Sequence, residues 1–240
     1  MMSQPTALVV GGTSGVGLAT ARQLLAAGMT VHIAGRSTAR LEDAVATDPA
    51  LIGHQLDATE HAAVRALAGT IGNIDHLILT LGGSEGTGPI ADLDLDTLRS
   101  AFDAKFWGHV TTIQAALPHL APSGSITLLG AITARSGMPG TAGIAAINGA
   151  VEALVKPLAT ELAPIRVNGV SPGFIDTPWW SAMPDDARRD YFAQAAAALP
   201  TGRIATAEEV AEVVVLMATN PNTTGTVIET DGGARLVSLG

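Results

Sequence analysis

The chain has 240 residues and is 47% hydrophobic but only 15% charged, a composition that fits one domain with a deeply buried core. Its formal net charge of −9 argues against a nucleic-acid partner, because a phosphate backbone binds clustered Lys and Arg. The absence of cysteine excludes a disulfide framework and thiolate metal sites.

Short aliphatic runs alternate with Ala- and Leu-rich segments along the chain. The predicted strands are TALVVG (6–11), TVHIAG (30–35), LIGHQL (51–56), DHLILTL (75–81), SITLLG (125–130), IRVNGV (165–170) and TVIET (226–230). The predicted helices lie near 16–27, 38–46, 60–70, 94–119, 142–162 and 206–218. This alternation predicts an α/β fold, a Rossmann-type doubly wound sheet of seven parallel strands flanked by helices, as a single domain over 1–240.

The stretch 174–200 interrupts the alternation with prolines, two tryptophans and the charged run DDARRD. We predict a substrate lid or binding loop there, because long excursions in compact domains are commonly functional. The apolar runs at 7–10 and 77–81 are too short to span a bilayer, and MMSQPT (1–6) lacks the pattern of a signal peptide. We therefore expect a cytoplasmic protein without membrane contact. The six histidines are scattered, so we expect no metal site.

A glycine-rich turn joins the first strand to the first helix in VGGTSGVGLATARQLL (10–25). Glycines at this place let the backbone turn tightly and approach a pyrophosphate, which then lies on the helix N-terminus. A glycine pattern alone is weak evidence, but its position between a strand and an amphipathic helix indicates a dinucleotide site. The residues that we expect to contact the pyrophosphate are Gly11, Ser14, Gly15, Val16 and Gly17.

The end of the second strand, IAGRS (33–37), predicts which dinucleotide binds. A carboxylate there would bond the ribose 2′-hydroxyl of NAD and repel a 2′-phosphate. Gly35 is neutral, and Arg36 can make a bidentate contact with phosphate, with Ser37 and Ser14 as further hydroxyl donors. The predicted cofactor is NADP(H).

Together these motifs resemble the short-chain dehydrogenase/reductase family over nearly the whole chain. LDAT (56–59), RVNGVSPGFIDTP (166–178) and TGTVIETDGG (224–233) are similar to segments of that family in the right order. The resemblance implies that Asp57 reaches the adenine and that Gly82 is retained from the stretch after the fourth strand. It also implies that Pro172 and Gly173 shape the nicotinamide pocket, which Ile175 and Thr177 complete.

The resemblance fails at the catalytic positions. Members of the family carry Asn, Ser, Tyr and Lys, in which the tyrosine protonates the substrate oxygen and the lysine holds the nicotinamide ribose. Matched by their flanks, these positions hold Lys105, Ala131, Ile144 and Asn148 here. No register slip restores the set, because the only tyrosine, Tyr191, lies far downstream.

Lys105 is the candidate catalytic residue. We hypothesise that its ammonium anchors the nicotinamide ribose or polarises a substrate oxygen; the alternative is a lysine that snorkels at a helix end or a subunit contact. Weaker polar candidates are Glu85, His109, Thr133, Ser136 and Tyr191, and Trp179 and Trp180 are predicted to wall the substrate pocket.

Three functions stay open. The first is an NADPH-dependent reductase of a small, fairly apolar carbonyl, enone or imine, with an unusual proton-transfer arrangement. The second is a catalytically inactive NADP(H)-binding sensor or partner subunit, and the third is non-redox chemistry on the same fold. Small residues such as Ala142, Ala146, Gly149 and Ala150 would allow close helix packing, so we expect a homotetramer or homodimer.

Overall fold

The computed structural model describes residues 4–83 and 85–237, so residues 1–3 of the MMSQPT stretch, Ser84 and residues 238–240 lie outside it. Seven strands are present in that part of the chain: β1 (Thr6–Val10), β2 (Thr30–Gly35), β3 (Ile52–Gln55), β4 (Ile74–Leu79), β5 (Leu120–Leu129), β6 (Arg166–Pro172) and β7 (Val227–Thr230). All neighbouring strands pair in parallel, in the order β3-β2-β1-β4-β5-β6-β7. The predicted doubly wound sheet is confirmed.

Nine α-helices lie in the described ranges: α1 (Gly15–Ala26), α2 (Thr38–Thr47), α3 (His61–Ile71), α4 (Leu95–Phe102), α5 (Gly108–Ala116), α6 (Ala142–Ala153), α7 (Val155–Glu161), α8 (Asp185–Ala198) and α9 (Ala207–Thr219). Two hydrophobic clusters separate them into layers. Side chains of α1, α2 and α9 pack on one face of the sheet, and those of α3, α5, α6 and α7 pack on the other. The strand order reverses between β1 and β4, and ligands of such sheets bind outside the carboxyl ends of the strands at that point.

Burial explains why the strands read as continuous apolar runs. In β1, four of the five residues are buried, because helices cover both faces of the sheet there. The edge strand β3 differs, since Ile52, Gly53 and Gln55 are exposed. The expectation of burial on both faces therefore holds for the central strands and is wrong at this edge.

Two predicted segments need correction. The single helix predicted near 94–119 is broken, because a π-helical turn, Asp103–Trp107, separates α4 from α5. The excursion at 174–200 is not only a loop, since its second half forms α8. That helix begins after Pro184 with Asp185 and Asp186 in its first turn, where acidic side chains stabilise the helix N-terminus.

One helical stretch, Ala142–Glu161, has the length and the mean hydropathy (1.2) of a membrane span. It comprises α6 and α7, and core helices of soluble domains share these properties. No membrane prediction follows from it.

Candidate functional site

The glycine turn between β1 and α1 has a geometry that requires its glycines. Gly11 has φ +89° and Gly15 has φ +50°, both in the region that favours glycine. A Cβ on Gly11 would lie 2.7 Å from the Thr80 carbonyl oxygen, and one on Gly17 would collide with the Gly11 carbonyl. The turn is thus packed against the end of β4, and its conformation is fixed by the fold.

The N-terminus of α1 is suited to an anion. Ser14 is the N-cap, but its side chain makes no capping hydrogen bond, and the first turn contains no acidic residue. The first N–H groups of this helix, on Gly15, Val16 and Gly17, therefore stay available to a phosphate. The loop after β6 closes over the same place, since a Cβ on Gly15 would meet the Thr177 side chain at 3.4 Å. Two segments that are distant in sequence meet here.

The end of β2 offers positive charge without a competing partner. Arg36 is exposed and makes no ion pair within the described residues. Ser37 caps α2 by accepting a bond from the Arg40 backbone N–H at 3.4 Å. A Cβ on Gly35 would lie 2.8 Å from the Thr13 methyl group, so Thr13 occupies the space that a carboxylate at position 35 would need. The sequence pattern did not reveal this role of Thr13.

Asp57 follows β3 and is exposed at the same edge. Its Oδ1 accepts bonds from the Thr59 backbone N–H at 2.9 Å and the Thr59 hydroxyl at 2.7 Å. These two bonds, with a smaller contribution from the charge of Arg36, lower the pKa of the Asp57 carboxyl. The carboxylate is thus ionised and fixed in orientation, with Oδ2 left for a donor such as an adenine amine.

The predicted nicotinamide end lies between the loops after β4 and β6. A Cβ on Gly82 would meet nothing within 4 Å, so this side of the loop is open. Pro172 is buried at the end of β6, and Gly173 is held so close to Asp231 that a Cβ would lie 2.7 Å from its Cα. The Trp179 indole N–H donates to the Gly83 carbonyl at 3.0 Å, which joins the two loops directly.

The family's tyrosine and lysine positions lie on α6. Ile144, 9% exposed, places an aliphatic side chain at the first of them, and Asn148 is fully buried at the second. The Asn148 Nδ2 donates to the Thr133 hydroxyl at 2.9 Å and to the Ile144 carbonyl at 3.0 Å. Ala131, at the serine position, precedes a short 3₁₀ turn, 132–134, that contains Thr133.

Lys105 lies in the π-helical turn, which packs against α6. Its side chain is half-buried and makes no hydrogen bond or ion pair within the described residues. Desolvation lowers the pKa of Lys105 to about 8, against a smaller raising effect from the charge of Glu152. Turns of this kind inside α-helices frequently lie at functional sites.

His109 supports the backbone of this turn. It is fully buried, and its Nδ1 lies 2.7 Å from the Lys105 carbonyl oxygen, to which it donates in the neutral form. Burial, with a smaller effect from the charge of Lys105, lowers the pKa of His109 to about 4, so the imidazole is neutral. His109 is thus a packing residue that holds the lysine in place.

The remaining candidates lie in different surroundings. Tyr191 on α8 packs edge to face on Phe174, with ring centroids 5.9 Å apart, and burial raises its pKa. Its ring and that of Trp180 belong to a small hydrophobic cluster beneath the excursion. Glu85 is exposed, whereas the Ser136 hydroxyl is buried without a hydrogen-bond partner there. Within the described ranges, no cluster of three or more His, Cys, Asp and Glu could hold a metal ion.

Comparisons with known proteins identify relatives of this chain. A family model described as enoyl-(acyl carrier protein) reductase matches residues 10–235. The cis-4-hydroxycyclohexanecarboxylate dehydrogenase of Sinomonas cyclohexanicum is 32% identical, with 96% of each chain covered.

Two solved structures are also similar. A small-chain dehydrogenase in complex with NADPH is 35% identical, with a TM-score of 0.83 over 98% of this chain and 100% of the other. A short-chain oxidoreductase from Pseudomonas aeruginosa PAO1, described as containing an atypical catalytic center, is 27% identical, with a TM-score of 0.86 over 95% of this chain and 96% of the other. The chain belongs to the short-chain dehydrogenase/reductase family.

Proposed function

We propose that this chain is an NADP(H)-dependent reductase of a small, fairly apolar carbonyl, enone or imine, whose proton transfer does not use a tyrosine. The observation that supports the proposal is that the loop after β6 contacts both the glycine turn and the loop after β4. A Cβ on Gly15 of the glycine turn would lie 3.4 Å from the Thr177 side chain, and the Trp179 indole N–H donates to the Gly83 carbonyl at 3.0 Å. A protein that held only the adenosine half of the dinucleotide would not need these two loops to meet.

The residues present fit the phosphorylated dinucleotide. The uncapped N-terminus of α1 suits the pyrophosphate, and the unpaired Arg36 suits a 2′-phosphate. Asp57 offers a carboxylate oxygen to the adenine amine, and the resemblance to the family assigns Thr177 to the nicotinamide amide. When bound, NADPH supplies the hydride.

Lys105 supplies an unpaired positive charge in the turn that packs against α6, the helix of two of the family's catalytic positions. With a pKa of about 8, its ammonium is protonated at neutral pH and close enough to its pKa to give up a proton. It can stabilise negative charge on a substrate oxygen or hold a ribose hydroxyl. Both roles need the ammonium to be unpaired, as it is among the described residues.

The missing tyrosine reduces the rate without abolishing it. A positioned general acid contributes about 10²- to 10⁴-fold, whereas orientation of the reactants can contribute more. Substrates whose charge is delocalised, such as enones, or already positive, such as iminium ions, need the acid least. The proposal therefore favours such acceptors over unactivated ketones in rate.

The alternative is an inactive NADP(H)-binding sensor or partner subunit. The aliphatic side chains of Ile144 and Ala131 at two family positions favour it, because neither can donate a proton. In either case we infer a cytoplasmic homotetramer or homodimer.

The test combines binding with single-turnover chemistry. NADPH fluorescence titration measures binding, and stopped-flow absorbance follows NADPH oxidation with a panel of cyclic ketones, enones and iminium salts. Lys105→Met should slow oxidation at least tenfold, whereas Lys156→Met, which changes the only other lysine, an exposed one, should not. Tight NADPH binding without oxidation by any panel member would support the sensor instead.

A further inference from the structure

The hydrogen bonds of Asn148 have a fixed direction. The side chain is fully buried, and its amide contacts the Thr133 hydroxyl at 2.9 Å and the Ile144 backbone carbonyl at 3.0 Å. A backbone carbonyl can only accept, so the amide nitrogen must face Ile144. The same nitrogen faces Thr133, and the threonine oxygen is therefore the acceptor of that bond.

This direction determines where the Thr133 hydrogen points. A hydroxyl that accepts from Asn148 keeps one hydrogen to donate, and no acceptor for it exists among the described residues. Thr133 is half-buried in the turn that follows the carboxyl end of β5, on the side of the sheet where ligands bind in this class of fold. The site thus contains an oriented neutral donor.

The charged groups nearby also favour an acceptor on the substrate. Lys105 can only donate, and it lies in the turn that packs against α6. The carboxylate whose charge acts on it, Glu152, has one oxygen engaged by Arg135 at 2.9 and 2.8 Å, and Arg135 also pairs with Glu229 at 2.8 Å. A cationic substrate would meet the unpaired ammonium of Lys105, which repels it, so the charge of Lys105 favours a neutral substrate.

We propose that the substrate is a neutral carbonyl compound, a ketone or enone, whose oxygen accepts a hydrogen bond from the Thr133 hydroxyl that Asn148 orients. This inference rests on the proposed reductase function and narrows its substrate class by removing iminium ions. When bound, NADPH would supply the hydride that forms the new C–H bond at the electrophilic carbon, and the π electron pair would move onto the oxygen, directly in a ketone and through the conjugated system in an enone. That negative oxygen is held by Thr133 and takes its proton from Lys105 or water, while Thr133 keeps its own.

The Thr133 contact can be measured without turnover. Infrared difference spectra of ¹³C=O-labelled cyclohexanone, bound with NADP⁺, report the hydrogen bond as a lowered carbonyl frequency. The wild type and Thr133→Ser should both show the lowered frequency. Thr133→Val should lose it and bind the ketone about 3- to 10-fold more weakly. Asn148→Leu, which removes the orienting amide, should broaden or raise the frequency although Thr133 is intact.

Two controls separate this contact from general damage to the fold. Thr127→Val makes the same change at a buried hydroxyl that has no partner within the described chain, and it should leave the frequency unchanged. Thr133→Val could fail to fold because the Asn148 amide loses its acceptor. The double variant Thr133→Val with Asn148→Leu then replaces it, because removing both partners leaves no buried amide unsatisfied.

Three outcomes would overturn the inference: an unchanged frequency in Thr133→Val, no binding of the ketone, or tighter binding of a cyclic iminium salt than of the ketone. The proposed function is judged separately by NADPH oxidation. A lowered carbonyl frequency without NADPH oxidation would contradict the reductase function but support the hydrogen bond from Thr133 to the ketone. NADPH oxidation combined with an unchanged carbonyl frequency in Thr133→Val would support the reductase and contradict the Thr133 contact.

Discussion

Lys105→Met is expected to stabilise the protein while it removes function. The pKa of Lys105 falls from 10.5 to about 8 on folding, because the surrounding protein desolvates the ammonium. A shift of this size corresponds to about 3 kcal/mol of lost stability at neutral pH. Because the side chain is only half-buried, solvent screening reduces the expected cost to about 1–3 kcal/mol. Methionine has a similar length and no charge, so it should recover this amount.

The effect should depend on pH in a defined window. The folded pKa lies below the unfolded one, so the cost is fully present below pH 8 and disappears as the pH rises towards 10.5. At pH 7 the variant should melt about 2–12 °C above the wild type, since about 1 kcal/mol shifts Tm by about 2–4 °C in a domain of this size. By pH 10 most of that difference should be gone.

Thermal and urea unfolding of both proteins at pH 7 and pH 10 would measure this, with Lys156→Met as the exposed control. Equal stability of Lys105→Met and wild type at pH 7 would refute the reasoning, because it would mean that the lysine snorkels into solvent with an ordinary pKa. A difference that persists unchanged at pH 10 would assign it to packing rather than to charge. The expected combination is higher stability with slower NADPH oxidation, a common relation at functional sites.

Three further predictions concern the cofactor site and the assembly. Arg36→Leu should weaken NADPH binding about 10-fold or more but leave NADH binding unchanged in fluorescence titrations, since a charge-assisted bond contributes about 1.5–3 kcal/mol; the same change at the exposed Arg99 should affect neither. Gly17→Ala should abolish binding of both dinucleotides in the same titrations, because the added methyl collides with the turn, whereas Gly137→Ala, where a Cβ meets nothing within 4 Å, should be tolerated. Gly149→Trp should convert the oligomer into monomers in light scattering, because a large side chain there would block close helix packing; an unchanged mass would exclude this face as the interface.

The sequence predicted the sheet because each strand and turn has a recognisable pattern within a few neighbouring residues. Runs such as ALVV in β1 are apolar on both faces, and the glycine turn after β1 has a required backbone conformation that few residues can adopt. The positions of Ala131, Ile144 and Asn148 could likewise be found from the motifs beside them. Each of these predictions depends on neighbours in the chain.

The parts that the sequence did not predict depend on distant or subtle contacts. The bond between Asn148 and Thr133 joins residues 15 apart, and no periodicity reports it. The π-helical turn around Lys105 inserts without any change in the apolar character of the segment. In α8, the run DDARRD resembles a solvated loop, although ion pairs such as Arg188 with Asp185 follow helical spacing.

The bond between the Trp179 indole and the Gly83 carbonyl bears on how quickly the cofactor can exchange. A single, partly exposed hydrogen bond contributes about 0.5–1.5 kcal/mol, so it is broken in roughly one molecule in 3 to 14 at equilibrium. This hydrogen bond cannot by itself give the dinucleotide a long residence time. Residence should instead follow the phosphate contacts of Arg36 and α1, and dissociation should therefore accelerate with ionic strength.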